Sequence, residues 1–307
     1  MRGRVTTIVA ALAVAAALAV PAPAQALVIG IADQQAKTFV DARLTALPVR
    51  NARLSVAWDA LKYGWQRAQI DAWMSAAKAA GMTVLVTFGR SRTRPYSLPP
   101  TRVYRRETLA FMHRYPSVRE YSPWNEPNLA VKPANNNPRR ISTYYRTLRG
   151  LCPRCTVLGA EVVDNSRLAT WMRAYLKVFP RGHAPRLWGL HNYVDVNSTS
   201  RWGTRTMLRL APGTIWFTET GAIFHRRAPS AARAHEWRIS IRTGAKWSAL
   251  ATRRAFSLAR SSSRIARIYV YHWRADPHDD WDSALIAAGG TPRPAFAVFA
   301  HQARLAA

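Results

Sequence analysis

Residues 66–88 read QRAQIDAWMSAAKAAGMTVLVTF. In the first part Ile70, Trp73, Met74 and Ala77 recur at the spacing that puts them on one face of a helix, and Gly81 follows as a stop. The second part, 83–88, is short and rich in β-branched and aromatic residues, as a strand buried on both faces should be. A helix running directly into such a strand is half of the unit from which parallel sheets with crossover helices are built.

The same alternation continues in both directions. Strands are expected near 28–31, 52–57, 83–88, 121–124, 156–161, 187–193, 214–218 and 267–273. Amphipathic stretches follow them near 34–46, 66–80, 101–113, 139–148, 167–178, 204–210, 244–258 and 295–305. Eight strands and eight helices is the count of an α/β (β/α)8 TIM barrel. An open doubly wound sheet would place a glycine-rich phosphate turn after the first strand, where Ile31-Ala32-Asp33-Gln34 stands instead.

Residues 1–26 are expected to be a signal peptide. Arg2 and Arg4 give a positive start, 8–20 is an apolar run, and Ala24-Gln25-Ala26 supplies the small-x-small cleavage pattern. An uncleaved anchor is the alternative, but the run is shorter than the roughly 20 apolar residues a spanning helix needs. A secreted chain starting at Leu27, with no transmembrane segment left, is therefore expected. Residues 27–307 are about the length of one barrel, and no linker or low-complexity tract divides them, so a single domain and a monomer are expected.

Lysine and arginine number 45 against 16 aspartates and glutamates, a net charge of +29. Such a field attracts polyanions. The basic residues are scattered through every segment instead of forming a block, which favours a compositional habit over a nucleic-acid site and leaves an anionic cell-surface polymer as a partner to consider. The two cysteines stand in Cys152-Pro153-Arg154-Cys155. A structural metal site would want four ligands and there is no second pair, so export points to a local disulfide between Cys152 and Cys155.

The chemistry rests on glutamates. There are six, and Glu126, Glu161 and Glu219 fall at the C-terminal ends of expected strands, where barrel enzymes build their sites. Glu126 lies in Ser122-Pro123-Trp124-Asn125-Glu126-Pro127-Asn128 after the fourth strand, and Glu219 lies in Trp216-Phe217-Thr218-Glu219-Thr220-Gly221 after the seventh. In these two motifs, at these two strands, the chain resembles glycoside hydrolase clan A, a group of retaining glycosidases on TIM barrels. The resemblance covers 27–307.

It implies a secreted hydrolase that cleaves O-glycosidic, β-configured bonds of a poly- or oligosaccharide, with Glu126 as acid/base and Glu219 as nucleophile. Asn125 matches the residue that binds the sugar hydroxyl beside the reacting carbon, Tyr193 the tyrosine that hydrogen-bonds the nucleophile, and Arg53 the strand-two arginine. Two residues before Tyr193, His191 points to the same side of a strand and is a further substrate contact. Trp273, at the end of the eighth strand, is expected to be a platform under a sugar ring. Trp124 joins it as a cleft candidate with Trp58 and Trp281, whereas Trp73, Trp171 and Trp247 are assigned to packing. Retention needs one carboxyl ionised and the other protonated. Arg53 is expected to keep Glu219 charged, and that charge to raise the pKa of Glu126.

Glu161 and Asp164 are left between contacting substrate and holding an arginine. No cofactor and no catalytic metal are expected, since no His-Glu-x-x-His pattern occurs, and the acidic loop of Asp276, Asp279, Asp280 and Asp282 is read as solvated. The competing function is a carbohydrate- or polyanion-binding surface protein that has kept the barrel and lost turnover. The presence of both carboxylates argues for turnover.

Overall fold

The computed structural model describes residues 26–130, 132–226 and 242–306. The expected signal segment lies outside the described residues apart from Ala26, as do Glu236 and Trp237. The strands are β1 (Val28–Ala32), β2 (Asn51–Ala57), β3 (Thr83–Gly89), β4 (Glu120–Ser122), β5 (Thr156–Val157), β6 (Glu161–Val163), β7 (Leu187–His191), β8 (Thr214–Thr220), β9 (His225–Arg226), β10 (Ile265–Tyr271) and β11 (Trp281–Asp282). All except β9 and β11 form one parallel sheet, while β9 and β11 pair antiparallel above it.

The sheet closes into a barrel through its fifth staves. On one side the order runs β1, β2, β3, β4, β5, and on the other β1, β10, β8, β7, β6. β5 and β6 are the two halves of one extended segment. Within it the Leu158 N–H donates to Tyr121 O at 2.9 Å and the Gly159 N–H to Leu187 O at 2.8 Å, which ties the β4 side to the β7 side. The segment expected as one strand over 156–161 is thus split, because it pairs first with one neighbour and then with the other.

Helices α1 (Ala42–Thr45), α2 (Gly64–Ala79), α3 (Thr101–Arg114), α4 (Pro138–Leu151), α5 (Leu168–Leu176), α6 (Tyr193–Val196), α7 (Trp202–Leu210), α8 (Ala245–Ala259) and α9 (Pro294–Leu305) accompany the strands. α2 buries Ile70, Trp73 and Ala77 against the sheet, and the Trp73 indole donates to Asp33 O at 3.0 Å. Pro138 opens α4, with the Asn137 side chain accepting from the Arg140 N–H as a cap. The helix expected over 34–46 is instead a 3-10 turn, Ala36–Val40, followed by α1. Asp41 separates the two, because its carboxylate caps the Arg43 N–H and also accepts from the Trp273 indole.

The main apolar core lies between sheet and helices. A second cluster, Ala32, Leu85, Leu158, Trp216 and Tyr269, fills the barrel from within. Gly30 is required beside it, since a Cβ there would sit 2.6 Å from the Tyr269 ring. The Cys152–Cys155 disulfide closes the turn after α4, with Cα atoms 5.3 Å apart. Among the described residues no helix is long and apolar enough to cross a membrane.

Candidate active site

A cleft of about 880 Å³ opens at the C-terminal ends of the strands, and Asn125, Glu126, Tyr193, Glu219, Tyr271 and Trp281 line it. Two irregularities of the backbone aim the carboxylates. Beyond β4, the Asn125 N–H donates to Phe88 O at 2.8 Å and the Glu126 N–H to Glu161 O at 3.0 Å. These bonds hold Glu126 at φ +50°, a left-handed conformation that costs a non-glycine residue roughly 1–2 kcal/mol. In β8 the register slips against both neighbours: Leu190 pairs with Phe217 but His191 with Glu219, and Ile268 with Phe217 but Val270 with Thr220. The extra residue is a β-bulge, which turns Glu219 inward where strict alternation from Trp216 would have sent it out.

Arg53 on β2 is wholly buried and ties the site together. Its Nη1 donates to Glu219 Oε1 at 2.6 Å, its Nη2 to Asn125 Oδ1 at 2.8 Å, and its Nε to Glu161 Oε2 at 3.1 Å, with Nη2 on that same Glu161 oxygen. Burial opposes its charge, but Glu161 and Glu219 outweigh burial and raise its pKa further. The Tyr193 hydroxyl donates to Glu219 Oε2 at 3.3 Å, and burial followed by the Glu219 charge keeps that phenol protonated. The Asn125 Oδ1 is taken by Arg53, and its side chain lines the cleft.

His191 on β7 is buried between carboxylates. Its Nδ1 lies 3.1 Å from Glu126 Oε1 and 3.6 Å from Glu219 Oε2, and its Nε2 lies 3.3 Å from Glu161 Oε2. Burial alone would lower its pKa, but Glu219, Glu126 and Glu161 push it up to about 9. Glu126 moves the other way. Burial would raise it, yet the hydrogen bond from His191, the Lys132 ammonium 3.6 Å away and the charges of His191 and Arg53 hold it down at about 2. The expectation that the Glu219 charge raises Glu126 is therefore corrected: the cations around Glu126 outweigh that one anion.

Of the residues named from sequence, Glu126, Glu219, Asn125, Tyr193, Arg53 and His191 meet in this one cluster. Trp124 and Trp273 do not. Trp124 is wholly buried against Tyr144, ring centroids 5.6 Å apart. Trp273 is buried against Phe296 and Phe299, with its indole on Asp41. Strand β10 ends at Tyr271, so the alternation that would put 273 on the inner side no longer applies. The aromatic that this strand presents to the cleft is Tyr271, legible from the Arg267, Tyr269, Tyr271 alternation. Trp281 lines the cleft, edge-on to Tyr193 at 4.8 Å, while Trp58 packs behind it under Lys62 and Arg94. Lys132 carries no signal in the sequence, as its loop holds no motif.

One donor atom each from Glu126, His191 and Glu219 lie within 4.8 Å of one another, a spacing a metal ion could use. Arg53 and Lys132 already bring positive charge to those carboxylates, and the His191 Nδ1 is occupied by Glu126. This donor set suits a proton better than a dication.

No known family model matches the sequence, and no curated protein matches it. Solved structures match in fold. The chain is similar to a family 39 glycoside hydrolase from the gut symbiont Bacteroides cellulosilyticus WH2, with 15% identity and a TM-score of 0.61 over 92% of this chain and 64% of that one. It is similar to a glucosidase from Croceicoccus marinus, with 10% identity and a TM-score of 0.66 over 92% of this chain and 68% of that one. It is also similar to a GH113 β-1,4-mannanase, with 13% identity and a TM-score of 0.57 over 91% of this chain and 98% of that one. Over more than nine-tenths of its length, the chain has the (β/α)8 fold of these glycoside hydrolases.

Proposed function

We propose that the chain is a retaining glycoside hydrolase acting on O-linked, β-configured sugars, with Glu219 as nucleophile and Glu126 as acid/base. The observation that carries this reading is that a carboxylate oxygen of Glu126 and one of Glu219 lie within 4.8 Å. Inverting sites hold their carboxyl groups about 6.5–9.5 Å apart to admit a water, whereas retaining sites keep about 5–5.5 Å. Glu219, held by Arg53 and Tyr193, attacks the anomeric carbon as the glycosidic C–O bond breaks, and the departing oxygen takes a proton from Glu126. Water then gives a proton to Glu126, attacks the same carbon and releases Glu219. Asn125 is placed to donate to the neighbouring sugar hydroxyl, and Trp281 and Tyr271 to flank the ring.

The glycosidase names of the structural neighbours support a carbohydrate substrate. Export after loss of residues 1–26 belongs to the same proposal, supported by the Cys152–Cys155 bridge; the N-terminus of secreted protein should be Leu27. The mechanism is tested on aryl β-glycosides. Glu219→Ala should abolish turnover and azide should restore it, giving a glycosyl azide of opposite configuration. Glu126→Ala should retain activity on substrates whose leaving group needs no proton. An inverted first product, seen by NMR, would refute retention. Sugar binding without turnover would instead favour the binding-protein alternative.

A further inference from the structure

Of the three carboxylates around Arg53 and His191, the steps above use two. Glu161, on β6, is wholly buried beneath the cleft and does not line it. Its Oε1 accepts from the Thr87 hydroxyl at 2.7 Å, and its Oε2 receives Arg53 and faces His191 Nε2. Gly189 makes room for it, since a Cβ there would lie 2.4 Å from Glu161 Cγ. An ionised carboxylate inside a barrel is costly unless fully partnered. Arg53 has Glu219 and Asn125 as further acceptors, so holding Arg53 does not by itself require Glu161. Among the described residues, His191 Nε2 has no other carboxylate partner.

A neutral imidazole carries one N–H and a doubly protonated ring carries two. With Glu161 on Nε2 and Glu126 on Nδ1, only the doubly protonated ring donates to both. If it gives up one proton while Glu161 holds Nε2–H, the proton leaves from Nδ1, toward Glu126. The charged groups facing the ring are Glu126 beyond β4, Glu161 on β6, Glu219 on β8 and Arg53 on β2. Lys132 acts on Glu126, and the Tyr193 and Tyr271 phenols stay neutral beside Glu219.

We propose that Glu161 is a positioning residue that fixes His191 through Nε2–H, so that the ring stores a proton at Nδ1 and supplies it to Glu126 when a glycoside enters. This rests on the reading of Glu126 as acid/base. The transfer converts ionised Glu126 and protonated His191 into neutral Glu126 and neutral His191. Glu126 then gives that proton to the departing glycosidic oxygen. In the second half, the proton taken from water by Glu126 returns to Nδ1. Glu161 stays ionised throughout.

The test uses the chain over 27–307 with 15N-labelled histidine, the His191 signals being assigned by their loss in His191→Asn. In the unsubstituted protein both ring nitrogens of His191 should be protonated at pH 7, with titration near 9. In Glu161→Gln the ring should titrate about one pH unit lower or more. The alkaline limb of kcat/KM should fall by the same interval while the acid limb stays, and Glu161→Asp should recover part of it. A His191 ring neutral at pH 7 in the unsubstituted protein overturns the proposal, even if Glu161→Gln does not fold. So does a ring titration unchanged by Glu161→Gln, or one that falls while the alkaline limb stays. If no glycoside is turned over, the glycosidase reading fails, and the imidazole titration still decides whether Glu161 sets the proton on His191.

Discussion

Arg53→Met keeps the length of the side chain and removes its charge. In the native protein Arg53 neutralises Glu161, whose side chain is 0% exposed, and Glu219, which is 12% exposed. Deleting one partner of a buried ion pair costs about 3–5 kcal/mol, because the other charge is left alone in a poorly polarisable interior. A second route gives a similar figure. Burial would raise the Glu161 carboxyl, yet Arg53 and then His191 hold it at about 2 instead of its ordinary 4.5, an interval worth about 3 kcal/mol at neutral pH. With its folded pKa depressed, Glu161 contributes stability that is present above about pH 4.5 and lost as pH falls toward 2. Without Arg53, burial dominates and the folded pKa rises above 4.5, so the variant loses stability as pH rises. The variant should therefore be about 3–5 kcal/mol less stable at pH 7, and the gap should narrow by roughly 2 kcal/mol at pH 4. Urea unfolding followed by tryptophan fluorescence at both pH values measures it. A loss below about 1 kcal/mol at pH 7, or a gap that does not narrow on acidification, would refute the assignment of Arg53 as the counter-ion of a buried carboxylate.

Gly189→Ala should displace Glu161 and Thr218, whose atoms lie 2.4 and 2.6 Å from the new Cβ; a stability loss of about 1–3 kcal/mol in thermal melts should accompany a fall in kcat. Trp124→Phe should destabilise the fold while leaving KM near its original value, whereas Trp281→Ala should raise KM with little change in melting temperature, since one ring is buried and the other lines the cleft. Reducing Cys152–Cys155, which closes a loop with a sequence separation of 3, should cost no more than about 2 kcal/mol in urea titrations run with and without reductant.

Eight strand segments are legible in the sequence because each is a short β-branched run between amphipathic stretches, and closure hides them on both faces. The register is not legible. Nothing local in Trp216-Phe217-Thr218-Glu219 announces a bulge, because the slip is defined by what β7 and β10 place alongside it. Trp273 is misread for a related reason: parity is a property of a strand, and β10 stops at Tyr271. The gathering of Glu126, Glu219, Arg53, His191 and Tyr193 follows from their places at strand ends. The proton balance of Glu126 does not, because it depends on Lys132 from a featureless loop and on a histidine whose two nitrogens meet carboxylates from three different strands or strand ends.

The two irregular backbone positions and the buried network have a common cause. A regular strand offers the barrel interior one side chain in two, and the inward positions just below the mouth are already taken by Arg53, Thr87 and Glu161. Two more carboxylates can face each other over that layer only where the chain leaves the alternation, and both do so: Glu126 in a left-handed conformation, Glu219 at a bulge. The left-handed residue is unfavourable by itself, by roughly 1–2 kcal/mol, and the bulge interrupts the ladder. The layer beneath offsets that cost, since Glu161 O accepts from the Glu126 N–H, and Arg53 links Glu219 to Glu161. Glu161 thus acts on both carboxylates at once, through its backbone on Glu126 and through Arg53 on Glu219. A chain with so few acidic residues has placed one of them where no substrate reaches it, and the geometry of the other two depends on it.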